Sequence, residues 1–254
     1  MMRSAHLARM VLIEARRGAL AWLALAAVAL GLALAGFLSQ VALTESRALQ
    51  LAVVASLARA CAVFLVAAHV AGSVLRELND KGLELMLSLP FSRSTQYLGR
   101  LAGFAACGAL LALFFALPML LWADPAALAL WALSLALECA LVAAAALFFA
   151  VSIGQLIGAL SATAGLYVLA RSIEGIQAIA ASPLAEASDG HELTRRAVDG
   201  LALLLPRLDA VTRTDWLLYA APPAAEYLQG IAGLLIYGAL LAAAGLFDFQ
   251  RESF

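Results

Sequence analysis

The stretch PAALALWALSLALECALVAAAALFFAVSIGQLIGALSATAGLYVLA, residues 125–170, contains a single charged side chain, that of Glu138. A bilayer core about 30 Å thick is spanned by about 20 apolar residues, at about 1.5 Å per residue. One straight helix over these 46 residues would extend about 69 Å, more than twice that thickness. The stretch must therefore fold back on itself, and Ser152, Gly154 and Gln155 form the best place for a tight turn.

Four other runs of the chain are also long and apolar enough to cross a membrane. Together with the two halves of the first stretch, they predict an all-α integral membrane protein with six transmembrane helices. The predicted spans cover residues 18–44, 48–75, 101–123, 125–151, 155–170 and 227–247. A single membrane domain over residues 1–254 follows, and the alternative of five spans with one long tilted helix fits the bilayer poorly.

The overall composition excludes several classes of protein. Apolar residues make up 65% of the chain and charged residues 13%, whereas soluble domains are about 45–50% apolar and about 25% charged. A net charge of −1 argues against a nucleic-acid-binding protein, which usually carries a basic excess. The three cysteines and three histidines are scattered singly, so the sequence predicts no metal site and no disulfide framework.

The distribution of basic residues predicts the orientation in the membrane. Nine of them lie in the N-terminal arm, the loop at residues 76–100 and the C-terminal tail, whereas the opposite short loops contain only Arg47. Because basic residues concentrate on the cytoplasmic side, both termini are predicted to be cytoplasmic in a bacterial inner (plasma) membrane. A cleaved signal peptide is the alternative, since residues 33–35 fit a cleavage pattern. Signal peptides, however, have an apolar core of only about 7–15 residues.

If the predicted cytoplasmic loop at residues 76–100 is helical, the helix has two distinct faces. Its acidic face carries Glu77, Asp80 and Glu84, and its apolar face carries Leu83, Met86 and Leu87. Pro90 must end such a helix near Leu89. A short helix with an exposed apolar edge suits a groove in a partner protein, and the alternative is a helix lying on the lipid surface.

The run DKGLELMLSLPFSR, residues 80–93, directly after the second span, resembles the permease subunits of type-2 ATP-binding-cassette exporters. The positions that match the family pattern are Glu77, Gly82, Glu84, Leu85, Leu87, Ser88, Pro90, Ser92 and Arg93. The basic N-terminal arm, the tight cytoplasmic turn between spans four and five and the tail after span six agree with this resemblance. Within the family, the chain looks most like the permease component linked to multicopper-enzyme maturation.

The resemblance implies a transporter that couples to a separate ATPase. In the family, two permeases form a homodimer or heterodimer, and two ATPase subunits carrying ATP and Mg dock on the coupling helix after span two. The implied docking set is Glu77, Asp80, Gly82, Leu83, Glu84, Met86, Leu87, Ser88, Pro90 and Arg93. Glu77 and Glu84 would pair with basic residues of the ATPase. The leucines could instead pack against cytoplasmic helices of the permease itself.

No enzymatic activity is expected of this chain. It contains no G-x-x-x-x-G-K-[ST] run, so it lacks a phosphate-binding loop of its own and needs no cofactor. An intramembrane enzyme is a weaker alternative, because the sequence shows no H-E-x-x-H motif and no Ser–His pair placed for catalysis. A membrane scaffold or assembly protein without transport activity is the other alternative. The uniformly Ala- and Leu-rich spans do not indicate a substrate.

Two charged residues inside the predicted spans are informative, because charges in the bilayer are costly. Arg59 and Glu138 lie at depths that differ by roughly 7 Å, a gap that long side chains can bridge. We expect an ion pair or a shared polar pocket, which would be either a polar element along a transport route or a structural clamp. His69, in the same span as Arg59, is expected to be a helix-packing or interfacial residue.

Two further regions carry predicted contacts. Gly154, Gly158 and Ala162 form a small-residue face on span five, and the family resemblance makes this face a candidate dimer seam; packing within one subunit is the alternative. In the extracytoplasmic loop at residues 171–226, two short helices at 173–181 and 197–205 are expected to dip into the outer leaflet. The resemblance makes them re-entrant helices before the sixth span. The loop could also hold a periplasmic partner or be an ordinary surface loop.

Overall fold

The computed structural model describes residues 2–41, 46–79, 92–181, 191–209, 211–218 and 224–251. Within these ranges, helices are the only regular secondary structure. They are α1 Met2–Arg17, α2 Ala19–Val41, α3 Ser46–Asn79, α4 Arg93–Ala116, α5 Pro125–Ile153, α6 Leu156–Ala180, α7 His191–Leu204, α8 Asp215–Leu218 and α9 Ala224–Arg251, with a 3-10 helix at Leu117–Leu121.

Six of these helices are long and apolar enough to cross a membrane, as the sequence predicts: α2, α3, α4 with its 3-10 extension, α5, α6 and α9. This is the architecture of a multi-pass membrane protein. The 34 residues of α3 extend about 51 Å, well beyond a bilayer core of about 30 Å. Both ends of α3 therefore have the length to project from the hydrocarbon region.

The predicted reversal of the long apolar stretch lies where the sequence places it. Helix α5 ends at Ile153, and α6 begins at Leu156. Gly154 between them has a φ of +68°, in the left-handed region where a side chain would be strained. Glycine at this position thus allows two spans to be joined by a two-residue connection.

Helix α5 is the centre of the bundle and packs against α3, α4, α6 and α9. Its contact with α4 is especially close, because a Cβ atom added at Gly108 would lie 2.7 Å from Cβ of Cys139. Most of its side chains between Leu128 and Val151 are buried. Two polar residues of α5, Ser134 and Glu138, are consequently held among other helices rather than facing lipid.

The N-terminal helix α1 packs against α4 and the start of α2. Val11 and Ala15 form its buried face, and an added Cβ at Gly103 would lie 2.9 Å from Cβ of Val11. The basic arm is therefore part of the packed structure, with Arg16 and Arg17 in its last turn.

One expectation for the segment at residues 171–226 is wrong. Residues 173–181 do not form a separate short helix, because α6 continues without a break to Ala180. The sequence between Ala170 and Ile173 contains neither proline nor glycine, so nothing ends the helix there. The second expected helix, at residues 197–205, corresponds to the larger part of α7.

Candidate functional site

The predicted pairing of the two intramembrane charges is confirmed. Nη1 of Arg59, on α3, forms an ion pair with Oε2 of Glu138, on α5, and the two side chains are 2% and 0% exposed. The central position of α5 brings Glu138 within reach of the neighbouring helix. Pairing offsets the high cost of placing either charge in a low-dielectric interior.

Arg59 is also held by polar and aromatic groups of α5. Its Nη2 donates to Oγ of Ser134 at 3.0 Å, and Ser134 in turn donates to the carbonyl oxygen of Trp131 at 2.7 Å. The guanidinium carbon lies 5.3 Å from the centroid of the Trp131 ring, a favourable cation–π distance. Nε of Arg59 is buried and has no hydrogen-bond partner in the described part of the chain.

The second oxygen of Glu138 receives two donors from α6. The hydroxyl of Tyr167 donates to Oε1 at 2.9 Å, and Nη1 of Arg171 lies 3.4 Å from the same oxygen. Two arginines thus surround one carboxylate, and together they give this group of residues a formal charge of +1. The buried charge cluster is defined as Arg59, Ser134, Glu138, Tyr167 and Arg171.

Arg171 connects the buried charge cluster to the segment after α7. Its Nη1 donates to Oγ1 of Thr212 at 2.7 Å, and Thr212 donates to the carbonyl oxygen of Leu208 at 2.8 Å. The side chain of Arg171 is 36% exposed, whereas Thr212 is buried. The polar network therefore extends from the interior to the partly exposed end of the bundle, and it joins α3, α5, α6 and residues 206–212.

A second acidic contact lies close to that end. Arg213 Nη2 is 3.6 Å from Oε2 of Glu174. Burial, and after it the neighbouring carboxylate of Glu174, together raise the pKa of Asp209 to about 6. A protonated Asp209 can donate a hydrogen bond to Glu174, so this contact between α6 and the segment after α7 depends on pH.

Most of the predicted ATPase-docking set falls outside the described residues. This applies to Asp80, Gly82, Leu83, Glu84, Met86, Leu87, Ser88 and Pro90.

The remaining two residues of that set have partners within the chain. Glu77 forms an ion pair with Arg100 of α4, and its expected contact with an ATPase stays a prediction. Arg93 donates to the carbonyl oxygen of Gln250 at 3.1 Å, which fastens the start of α4 to the end of α9. Both therefore hold helix ends together at the side of the bundle where residues 80–91 connect α3 to α4.

A further polar contact at this end was not predicted from the sequence. Glu14 of α1 accepts hydrogen bonds from Oγ of Ser73, at 2.9 Å to its nearer carboxylate oxygen, and from Nη2 of Arg76 at 3.0 Å. His69 lies one turn away, and its ring meets that of Phe104 edge to face at 5.8 Å. This agrees with the expectation that His69 is a packing residue.

The proposed dimer seam remains a prediction. Ala162 and Gly158 are half-buried beside the buried face of α6, and a Cβ added at Gly158 would lie 2.8 Å from Cγ2 of Ile153. Gly154 serves the turn described above. Ile157, on the same helix, is 81% exposed, which leaves an apolar surface next to this face.

The described residues contain no group of three His, Cys, Asp or Glu side chains that could hold a metal ion. No protein-family model matches the chain, and no curated protein matches it significantly. The six apolar helices and the geometry described above define the class of protein: a helical multi-pass membrane protein with a buried charge cluster.

Proposed function

We propose that this chain is the permease subunit of an ATP-binding-cassette exporter, driven by ATP hydrolysis on a separate ATPase. The observation that carries the proposal is the continuity of α3. This one helix carries Arg59 of the buried charge cluster, and it ends at Asn79, where the segment that resembles a coupling helix follows. Arg59 and Glu77 are about 27 Å apart along the helix axis.

A long uninterrupted helix can transmit motion between these two places. A partner that displaces residues 80–91 would tilt or shift α3, and Arg59 would then move relative to Glu138 on α5. The Glu77–Arg100 ion pair favours movement of α3 and α4 together at this end. In this mechanism the ATPase moves α3 and α4, and the buried charge cluster is where that motion meets α5 and α6.

The topology follows from the same proposal. Both termini and residues 80–91 lie on the cytoplasmic side of a bacterial inner membrane, as the basic residues indicate. Residues 191–218 lie on the opposite side, where a periplasmic partner could contact them. Two permeases assemble with two ATPase subunits, and the face formed by Gly154, Gly158 and Ala162 is the candidate seam between the permeases.

The test is co-purification of the chain with P-loop ATPases of the same genome. We expect one ATPase to co-purify and its hydrolysis rate to depend on the permease. Leu87→Asp places a charge at the apolar docking edge and should weaken capture by at least about tenfold. Leu193→Asp is the matched control, because Leu193 is 77% exposed on α7, on the predicted opposite side, and should leave capture unchanged.

Two results would contradict this proposal. One is the absence of any co-purifying ATPase under conditions in which the permease is folded. The other is equal capture by the wild type and by a variant that lacks residues 82–89.

A non-transporting scaffold is the second candidate, and the saturation of Glu138 favours it. This carboxylate accepts from Arg59, Tyr167 and Arg171, which is what a purely structural clamp requires. The discriminating variant is Arg59→Leu combined with Glu138→Gln. If it folds, binds the ATPase and supports the full hydrolysis rate, the buried charge cluster is a clamp; a reduced rate in a folded complex supports a role in the transport cycle.

A further inference from the structure

A large cavity lies at the end of the bundle where α1 meets α2. The end of α3 and the start of α6 complete its walls, and its volume is about 1270 Å³. This exceeds the roughly 300–1,000 Å³ of most small-molecule sites. The cavity shares no residue with the buried charge cluster.

Most of the lining is apolar. Protein closes the cavity on one side only. Leu20, Leu65 and Leu75 are buried and form the inner wall. Leu23 and Ile157, which also line the cavity, are 52% and 81% exposed. Because these two side chains lie on helices that cross the membrane, the cavity opens sideways, toward the lipid.

The charged groups of the lining lie at one end. They are Glu14 and Arg17 at the end of α1 and Arg76 near the end of α3. Glu14 accepts a hydrogen bond from Arg76. Two arginines and one glutamate together have a formal charge of +1. A ligand head group with one negative charge would neutralise this end of the cavity.

The length of the cavity fits an acyl chain. Along α3, the lining continues from the charged end at Arg76 to Leu65, about 16 Å at 1.5 Å per residue, and His69 is the one polar side chain that it meets on the way. The polar end therefore continues into an apolar slot about as long as half of the bilayer core. A phospholipid in one leaflet meets the same two environments in the same order, first a polar region at its head group and then an apolar region along its acyl chains.

We propose that this cavity binds one anionic glycerophospholipid, with its phosphate between Arg17 and Arg76 and an acyl chain along Leu23, Leu65 and Ile157. Charge complementarity selects this occupant, because basic pockets between membrane helices attract anionic head groups. The phosphate accepts hydrogen bonds from the two guanidinium groups, while Glu14 keeps the side chain of Arg76 in place. This proposal rests on the fold and not on transport activity, although Gly154 belongs both to the cavity lining and to the candidate seam between permeases.

The test is native mass spectrometry of the detergent-solubilised chain with added phosphatidylglycerol. Phosphatidylcholine with the same acyl chains serves as the comparison lipid. We expect one tightly held phosphatidylglycerol per chain, and weaker retention of phosphatidylcholine because its head group has no net charge. Arg17→Gln together with Arg76→Gln should reduce phosphatidylglycerol affinity by roughly 10- to 30-fold. Arg16→Gln is the matched control, since Arg16 is adjacent and exposed but does not line the cavity.

A second variant blocks the slot and keeps the arginines. A Cβ added at Gly72, which lines the cavity, meets nothing within 4 Å, so Gly72→Phe should fill the space and reduce retention of both lipids. Gly36→Phe is its control, because Gly36 on α2 is equally uncrowded and lies outside the cavity. Equal retention of phosphatidylglycerol by the wild type and both cavity variants would overturn the proposal. Lipid adducts found on monomers but never on dimers would also overturn it, since a second copy would then be the occupant.

Discussion

Two Arg–Glu pairs in this molecule have the same chemistry and very different surroundings. In the buried charge cluster, the side chains of Arg59 and Glu138 are 2% and 0% exposed. At the end of the bundle, the side chains of Arg76 and Glu14 are 67% and 39% exposed. A buried pair is costly to break because the remaining charge stays in a low-dielectric interior, whereas an exposed pair is worth little.

The two pairs also differ in how many other groups they engage. Glu138 accepts hydrogen bonds from three side chains on two helices. Each of these contacts therefore restricts the positions of the other two donors. Glu14 accepts from Ser73 and Arg76 and borders a cavity. The comparison predicts that the buried pair determines stability and helix positions, while the exposed pair is available to a ligand.

The largest expected effect is that of Glu138→Ala. This change leaves Arg59 buried without its counter-charge, which should cost about 3–5 kcal/mol of unfolding free energy. Thermal or denaturant unfolding of the purified protein in detergent measures it. Replacing both residues, Arg59→Leu with Glu138→Leu, should cost less than the single change because no fully buried charge is stranded: Arg171, which also loses Glu138, is 36% exposed and keeps its hydrogen bond to Thr212. A double variant less stable than Glu138→Ala would contradict this explanation.

The second effect is the loss of the hydrogen bond that the Tyr167 hydroxyl donates to Glu138. Tyr167→Phe removes a hydrogen bond to the charged Glu138 and should cost about 1.5–3 kcal/mol. Tyr227→Phe is the control, because its hydroxyl donates to the neutral carbonyl of Leu130 at 3.1 Å, and it should cost about 0.5–1.5 kcal/mol. Unfolding of the two variants side by side measures the difference. Equal losses would contradict this explanation.

A third effect is a pH dependence at the end of the bundle where α6 contacts Asp209 and Arg213. The raised pKa of Asp209, about 6 against an ordinary value of 3.8, means that the folded state binds its proton more tightly than the unfolded state does. The stabilising contribution is fully present below pH 3.8 and is lost as the pH rises through about 6.

Melting temperatures measured from pH 4.5 to pH 8 provide the readout for Asp209. Glu174, Arg207 and Arg213 are the charged groups around it. We expect the wild type to lose stability across this range relative to Asp209→Asn, whose side chain does not titrate. Parallel pH curves for the two proteins would exclude Asp209 as the titrating group.

The sequence predicted much of the fold because the physical signals were local. The length of the apolar stretch at residues 125–170 required a reversal, and Gly154 supplied the one residue suited to it. The course of α6 does not follow from the sequence, because an arginine after an apolar run, as at Arg171, is typical of the start of a loop. In the structure that arginine remains helical, and its guanidinium reaches Glu138 and Thr212.

The sequence predicts only those residues of the site that are charged and lie in long apolar runs. Arg59 and Glu138 are anomalous at their positions, and their depths gave the pairing. Tyr167 and Ser134 are ordinary residues in helices, so no sequence signal distinguishes those that contact Glu138 from those that face lipid. The Glu77–Arg100 pair was missed for a different reason: the family resemblance assigned Glu77 to a partner protein, and only the packing of α3 against α4 places Arg100 beside it.

The smallest effect tests the comparison directly. A double-mutant cycle with Arg76→Gln and Glu14→Gln should give a coupling free energy of only about 0.2–1 kcal/mol, because both side chains are accessible to water. Raising the salt concentration to about 1 M shortens the Debye length to about 3 Å, so this coupling should fall toward zero. The corresponding cycle at Arg59 and Glu138 should be larger and insensitive to salt, since ions do not enter the buried site. A salt-resistant coupling at Arg76 and Glu14 would mean that this pair is shielded in the membrane, and the distinction between the two pairs would then fail.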